Sequence, residues 1–107
     1  MNNKFYSLLG ISKKSANMSN GSFAVEKSIK SGLAYLVIIA DDAAKNTAEK
    51  FKNLCESKKI PLLIQGKKEL IGRSIGKNDT SVVSINDLNL SNEILNIIKK
   101  LQNDGGE

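Results

Sequence analysis

The chain has 107 residues, 40% of them apolar, which suits one domain with a real core and leaves no room for a catalytic domain plus a second module. It carries 16 basic against 11 acidic residues, a net charge of +5, which favours a polyanionic partner, although lysines also serve plain solubility. With one cysteine an internal disulfide framework is excluded, and with no histidine the commonest general base and metal ligand are missing.

From residue 4 to 16, Phe5, Leu8, Leu9 and Ile11 are spaced as on a short amphipathic helix that carries Lys13, Lys14 and Ala16 at its end, with a break or kink expected at Gly10. A polar turn from Asn17 to Ser22 follows, with room for a very short strand around Met18. A second helix is expected from Gly21 or Ser22, with Val25 and Ile29 on its buried stripe, Ala24 and Ser28 beside them, and Gly32 as its stop. Tyr35 to Ala40 is continuously apolar, as in a strand covered on both faces.

Asp41, Asp42 or Asn46 is expected to cap a third helix that runs to about Ser57 and turns Ala48, Phe51, Leu54 and Cys55 inward. Ile60 to Gln65, with Pro61 at its start, reads as a second central strand. A short helix from Lys68 to Ile75 should bury Leu70, Ile71 and Ile75 and end at Gly76. Ser81 to Ile85 is a further strand. Ser91 or Asn92 opens a last helix with Ile94, Leu95, Ile97, Ile98 and Leu101 on its stripe, and residues 102–107 are expected to fray. Residues 1–101 thus read as a single domain. Strands alternating with helices predict a three-layer α/β/α sandwich.

The N-terminal stretch up to Gly10 is too poor in apolar residues for a signal peptide, and the run from Leu36 to Ala40 is far too short to span a membrane. The expected compartment is the cytoplasm, with no membrane partner. Catalytic machinery is not expected. Cys55 lies on an apolar helix stripe and reads as core. Asp41 and Asp42 sit after a strand, where a magnesium ion is conceivable, but capping and loop solubility explain them more simply. Gly72 to Asn78 is one residue short of a phosphate-binding loop and follows a helix rather than a strand. Neither a cofactor nor a metal is therefore expected.

Two places suit a nucleic acid. At the start of the second helix, the free backbone N–H groups near Gly21 and Ser22 can receive a phosphate, and Lys27 lies roughly on the same side. The other place is Arg73, Lys77 and the loop that follows. Lys13 and Lys14 can extend either patch, although lysines on helices are more often a solvated face.

The stretch Ser31 to Ala43 resembles the signature of the kink-turn-binding ribosomal protein superfamily, that of the archaeal multifunctional ribosomal protein and its relatives. So do Cys55 to Pro61 and Lys68 to Lys77. Leu8-Leu9-Gly10-Ile11 and Ile71 to Lys77 look most like its bacterial YlxQ-type branch, and the resemblance covers the chain from about Phe5 to Leu101. It implies a small mixed four-stranded sheet within the sandwich and binding to folded RNA, typically the sharply bent kink-turn.

In the family a Gly-x-Asn-Glu-x-x-Lys pattern at the start of the second helix enters the RNA groove. Here its glycine and lysine match Gly21 and Lys27, and Ser22 keeps a small hydroxyl in place of its threonine. Phe23 and Ala24 stand where the family has asparagine and glutamate, so both readers of guanine edges are missing. Gly21, Ser22 and Lys27 are left to position RNA by its phosphates. Phe23 has two readings: stacking on an unpaired base, or packing against the first helix, which the shortage of large core residues favours.

The family's second contact maps onto Lys77, Asn78, Asp79, Thr80 and Ser81, a more polar loop than is typical. The expectation is a non-catalytic, monomeric RNA-binding protein for bent or kink-turn-like RNA, with ribosome association in keeping. The other reading is a protein-interaction module on the same fold.

Overall fold

In a computed structural model, which describes residues 3–105, the strand Leu36–Ile39 (β2) is buried along its whole length. The helices on each side of the sheet explain why. Leu36 and Ile38 join one core cluster with Phe5 and Leu9 of α1 (Asn3–Lys14), Ile71 of α4 (Lys68–Ser74), and Ile94 and Ile98 of α5 (Leu88–Gly105). Val37 and Ile39 join the other with Val25 and Ile29 of α2 (Ser22–Lys30) and Phe51 and Cys55 of α3 (Lys45–Lys58). Burying one such apolar side chain contributes about 1.5–3 kcal/mol, so both faces of β2 stabilise the fold.

The sheet completes the α/β/α sandwich with β1 (Met18–Asn20), β3 (Leu62–Ile64) and β4 (Val82–Ile85), in the order β1-β4-β2-β3. It is mixed: β3 runs parallel to β2, whereas β4 is antiparallel to both β1 and β2. The pairs Leu36↔Ile85 and Ile38↔Val83 put like residues on the same face.

This order corrects one expectation. The strand after Pro61 is an edge, not a central strand, and β4 takes the centre beside β2. Leu62 and Leu63 are only half-buried and Ile64 is exposed, so an apolar run was no measure of burial here.

Several helix ends also differ from expectation. Helix α1 runs unbroken through Gly10, whose missing Cβ lets the Ser74 carbonyl of α4 come close. Within α1, Ile11 faces solvent and Ser12 is buried, its hydroxyl donating to the Leu8 carbonyl at 2.8 Å. Helix α3 has Ala44 at its N-cap and no side-chain cap, because Asp41 and Asp42 turn instead towards α4. Helix α5 begins at Leu88, ahead of Ser91, since Asp87 accepts the Leu90 N–H at 2.9 Å. It also continues to Gly105, past the Leu101 at which the apolar stripe ends, and residues 106–107 of the expected fray lie outside the described residues.

A polar chain fixes α2 on the sheet. Ser84 Oγ donates to Asn86 Oδ1, Asn86 Nδ2 donates to Ser19 Oγ, and Ser19 shares a 2.6 Å bond with Ser28 of α2. With Val25 and Ile29 buried on either side of Ser28, the start of α2 is held at the Asn20 end of β1.

Candidate nucleic-acid interface

Gly21 is the N-cap of α2, with φ +90°, a conformation open to glycine and strained for other residues. Its N–H donates to the Val82 carbonyl at 3.0 Å, fastening the helix start to the start of β4. No side chain caps this end and its first turn holds no acidic residue. The first N–H groups of a helix have no acceptor within it, and the helix dipole adds partial positive charge there.

Across from it runs the loop after α4. Gly76, with φ +73°, ends that helix, and the Lys77 N–H donates back to the Gly72 carbonyl at 2.8 Å. The loop folds over Gly72 so tightly that a Cβ there would fall inside the Asn78 carbonyl. Buried Thr80 braces the turn, its hydroxyl donating to Asn78 O at 2.9 Å and its N–H to Lys68 O at 3.0 Å.

Together the two segments form one cleft of about 410 Å³, lined by Asn20 to Ser22 on one side and Lys77 to Val82 on the other. Lys13 donates to Asn20 Oδ1 at 2.9 Å, which sets its ammonium at the rim. Asp79 is the one carboxylate on the lining.

The other expected residues lie elsewhere. Lys27 and Phe23 line a groove on α2 beside the cleft, with Glu26 and Lys30. Lys14 lines a separate groove with Gly10, Ile11 and Ser74. Arg73 is exposed and paired with Glu69 at 2.9 Å, away from the cleft lining. Phe23 is 85% exposed, which overturns packing against α1: the first turn of α2 points its second residue outward while Val25 takes the core position.

Charge around the α2 groove is ordered by Glu26, which pairs with Lys30 and Lys50, each at 2.7 Å. The bonds from these two ammonium groups hold its carboxyl down to about 2. Asp41 pairs with Lys67 at 2.8 Å and pushes that ammonium up, while Asp42 accepts the Lys68 N–H at 2.9 Å. Among the described residues no group of three or more His, Cys, Asp or Glu side chains could hold a metal ion. Cys55 is buried as expected, and burial pushes its thiol up to about 11. No helix among the described residues is long and apolar enough to cross a membrane.

A mixed four-stranded sheet between helical layers is the fold of a known class. Residues 3–95 match the Ribosomal protein L7Ae/L30e/S12e/Gadd45 family, and the chain belongs to it. It is similar to the RNA-binding protein YlxQ of Bacillus subtilis, with 30% identity over 95 residues, 89% of this chain and 95% of that one. The large ribosomal subunit protein eL8 of Thermoplasma volcanium is 33% identical over 82 residues, 76% of this chain and 68% of that one.

Among solved structures, a protein of unknown function from Bacillus halodurans superposes with TM-score 0.87 at 31% identity, covering 92% of this chain and 99% of that one. The Giardia lamblia 15.5kD RNA binding protein superposes with TM-score 0.76 at 27% identity, covering 95% and 91%.

Proposed function

We propose that this protein binds structured RNA in the cytoplasm, as a single monomeric domain, and catalyses no reaction on it. The observation that carries this reading is the cleft itself, which joins an uncapped helix start to a loop bearing Lys77. A phosphate in the cleft would accept from the first N–H groups of α2, and Lys77 and the Asn20-bound Lys13 would neutralise its neighbours. Lys27, Lys14 and Arg73 add attraction from the surrounding surface, and Asn78 offers an amide at the rim. The net charge of +5 suits this partner. So do the names of YlxQ and the 15.5kD protein, both RNA-binding. The eL8 relatives belong to the large ribosomal subunit, which makes ribosomal RNA a partner to test.

The RNA is bent or internally looped in this reading, because a cleft with two walls grips phosphates on both sides of a bend. Phe23 and Ala24 supply no hydrogen bonds to base edges, so the grip is by backbone position rather than by strict kink-turn readout. The exposure of Phe23 also favours a second reading, in which α2 presents a surface to a protein partner.

A titration against a kink-turn RNA and a matched straight duplex, at low and moderate salt, separates these readings. Preference for the kink-turn, weakening steeply with salt, is the expected result. Equal, salt-sensitive binding to both would mean a general RNA binder. Binding to neither would leave the protein-interaction reading.

A further inference from the structure

No core contact accounts for Phe23. It is 85% exposed, against 41–57% for the other exposed large hydrophobic residues. It follows Ser22, which lines the cleft, and walls a groove of about 310 Å³. Lys27 and Lys30 come four and seven residues later and so share its side of α2. Glu26 is occupied by Lys30 and Lys50, whereas Lys27 forms no ion pair among the described residues. The groove therefore sets a bare aromatic ring beside an unneutralised cation, at the edge of a cleft suited to phosphate. An aromatic base on a phosphodiester matches both features, whereas an apolar protein side chain would match only the ring.

We propose that Phe23 is the platform on which an unpaired nucleobase of the bound RNA stacks, with Lys27 taking a phosphate of the same nucleotide. This rests on the RNA-binding reading above and names the feature that selects the RNA. Stacking on a ring tolerates any base, so the protein chooses RNA that offers an extrahelical nucleotide beside the bend, whatever its sequence.

The chain contains no tryptophan, so Phe23→Trp installs a single indole reporter at the proposed contact. Wild type, Phe23→Trp, Phe23→Ala, Phe23→Tyr and Lys27→Ala are titrated with a kink-turn RNA. The same titrations use versions in which each unpaired loop nucleotide in turn is made abasic. Indole emission is expected to be quenched by the intact RNA and restored at one abasic position. Phe23→Ala should weaken binding by about 5- to 150-fold, Phe23→Tyr far less. At the critical abasic position Phe23→Ala should add no further loss, and its thermal melt should match wild type.

If Phe23→Ala binds as tightly as wild type while Lys27→Ala binds more weakly, stacking is overturned and the RNA reading stands. Quenching that survives every abasic substitution overturns stacking as well. If the wild-type protein binds none of these RNAs, both readings fall together.

Discussion

Helices α2 and α4 begin in opposite ways. At α4 the Lys68 N–H donates to Asp42, Asp41 holds the Lys67 ammonium, and Glu69 sits in the first turn. At α2 no side chain caps the helix and no acidic residue offsets its positive end. The first N–H of α4 thus has a carboxylate acceptor within the fold, whereas no side chain among the described residues caps α2. Helix α3 shows that a bare start is not enough by itself. It too lacks a side-chain cap and an acid in its first turn, yet no α3 residue lines the cleft. What distinguishes α2 is the loop folded opposite it over Gly72.

The most severe way to break this contrast is to move that loop. Gly72→Ala forces a methyl into the Asn78 carbonyl and should cost about 2–3 kcal/mol, read by urea unfolding, with RNA affinity lost along with the loop's shape. Closing α2 as α4 is closed should split stability from binding. Ser22→Asp places a carboxylate at the helix start and is expected to raise stability by about 0.5 kcal/mol. The same charge should repel phosphate and weaken RNA binding about tenfold or more, measured by the same titration.

The converse change, Asp42→Ala, opens α4. It should cost about 1 kcal/mol of stability and leave RNA affinity unchanged, since the lost bond lies outside the cleft. A smaller effect separates the cations. Lys27→Ala should lower the slope of log affinity against log salt by about one, and Arg73→Ala by less, because Glu69 already holds the guanidinium.

The gentlest probe is acid. The Glu26 carboxyl is held near 2 against an ordinary 4.5, so its contribution is complete above pH 4.5 and is lost as pH falls towards about 2. Glu26→Gln should remove that part of the decline in melting temperature.

Much of this was legible in the sequence because it is local. The unbroken apolar run of β2, the Val25–Ile29 stripe and the glycines that end α2 and α4 each report their own element. What escaped depends on partners far along the chain. Asp42 looks like a cap for the helix that follows it, but its acceptor oxygen serves Lys68, 26 residues on. Leu62 to Ile64 reads as buried, but sheet order rather than composition puts it on an edge. Gly21 and Lys77 could be singled out one by one, but their shared cleft depends on β1 pairing with β4. Phe23 defeated the reading for a different reason: scarcity of aromatics argued for burial, whereas its position on the first turn of α2 decided its exposure.

The pairing of β1 with β4 also sets a clock. Asn20 meets Val83 only after most of the chain has been made, and Gly21 has no Val82 carbonyl to hold it before then. During synthesis from the N-terminus the first wall of the cleft therefore waits, unanchored, for the second. Contacts this distant in sequence close slowly, because the intervening loop must lose its freedom first. The cleft is therefore complete only once β4 is free to pair with β1.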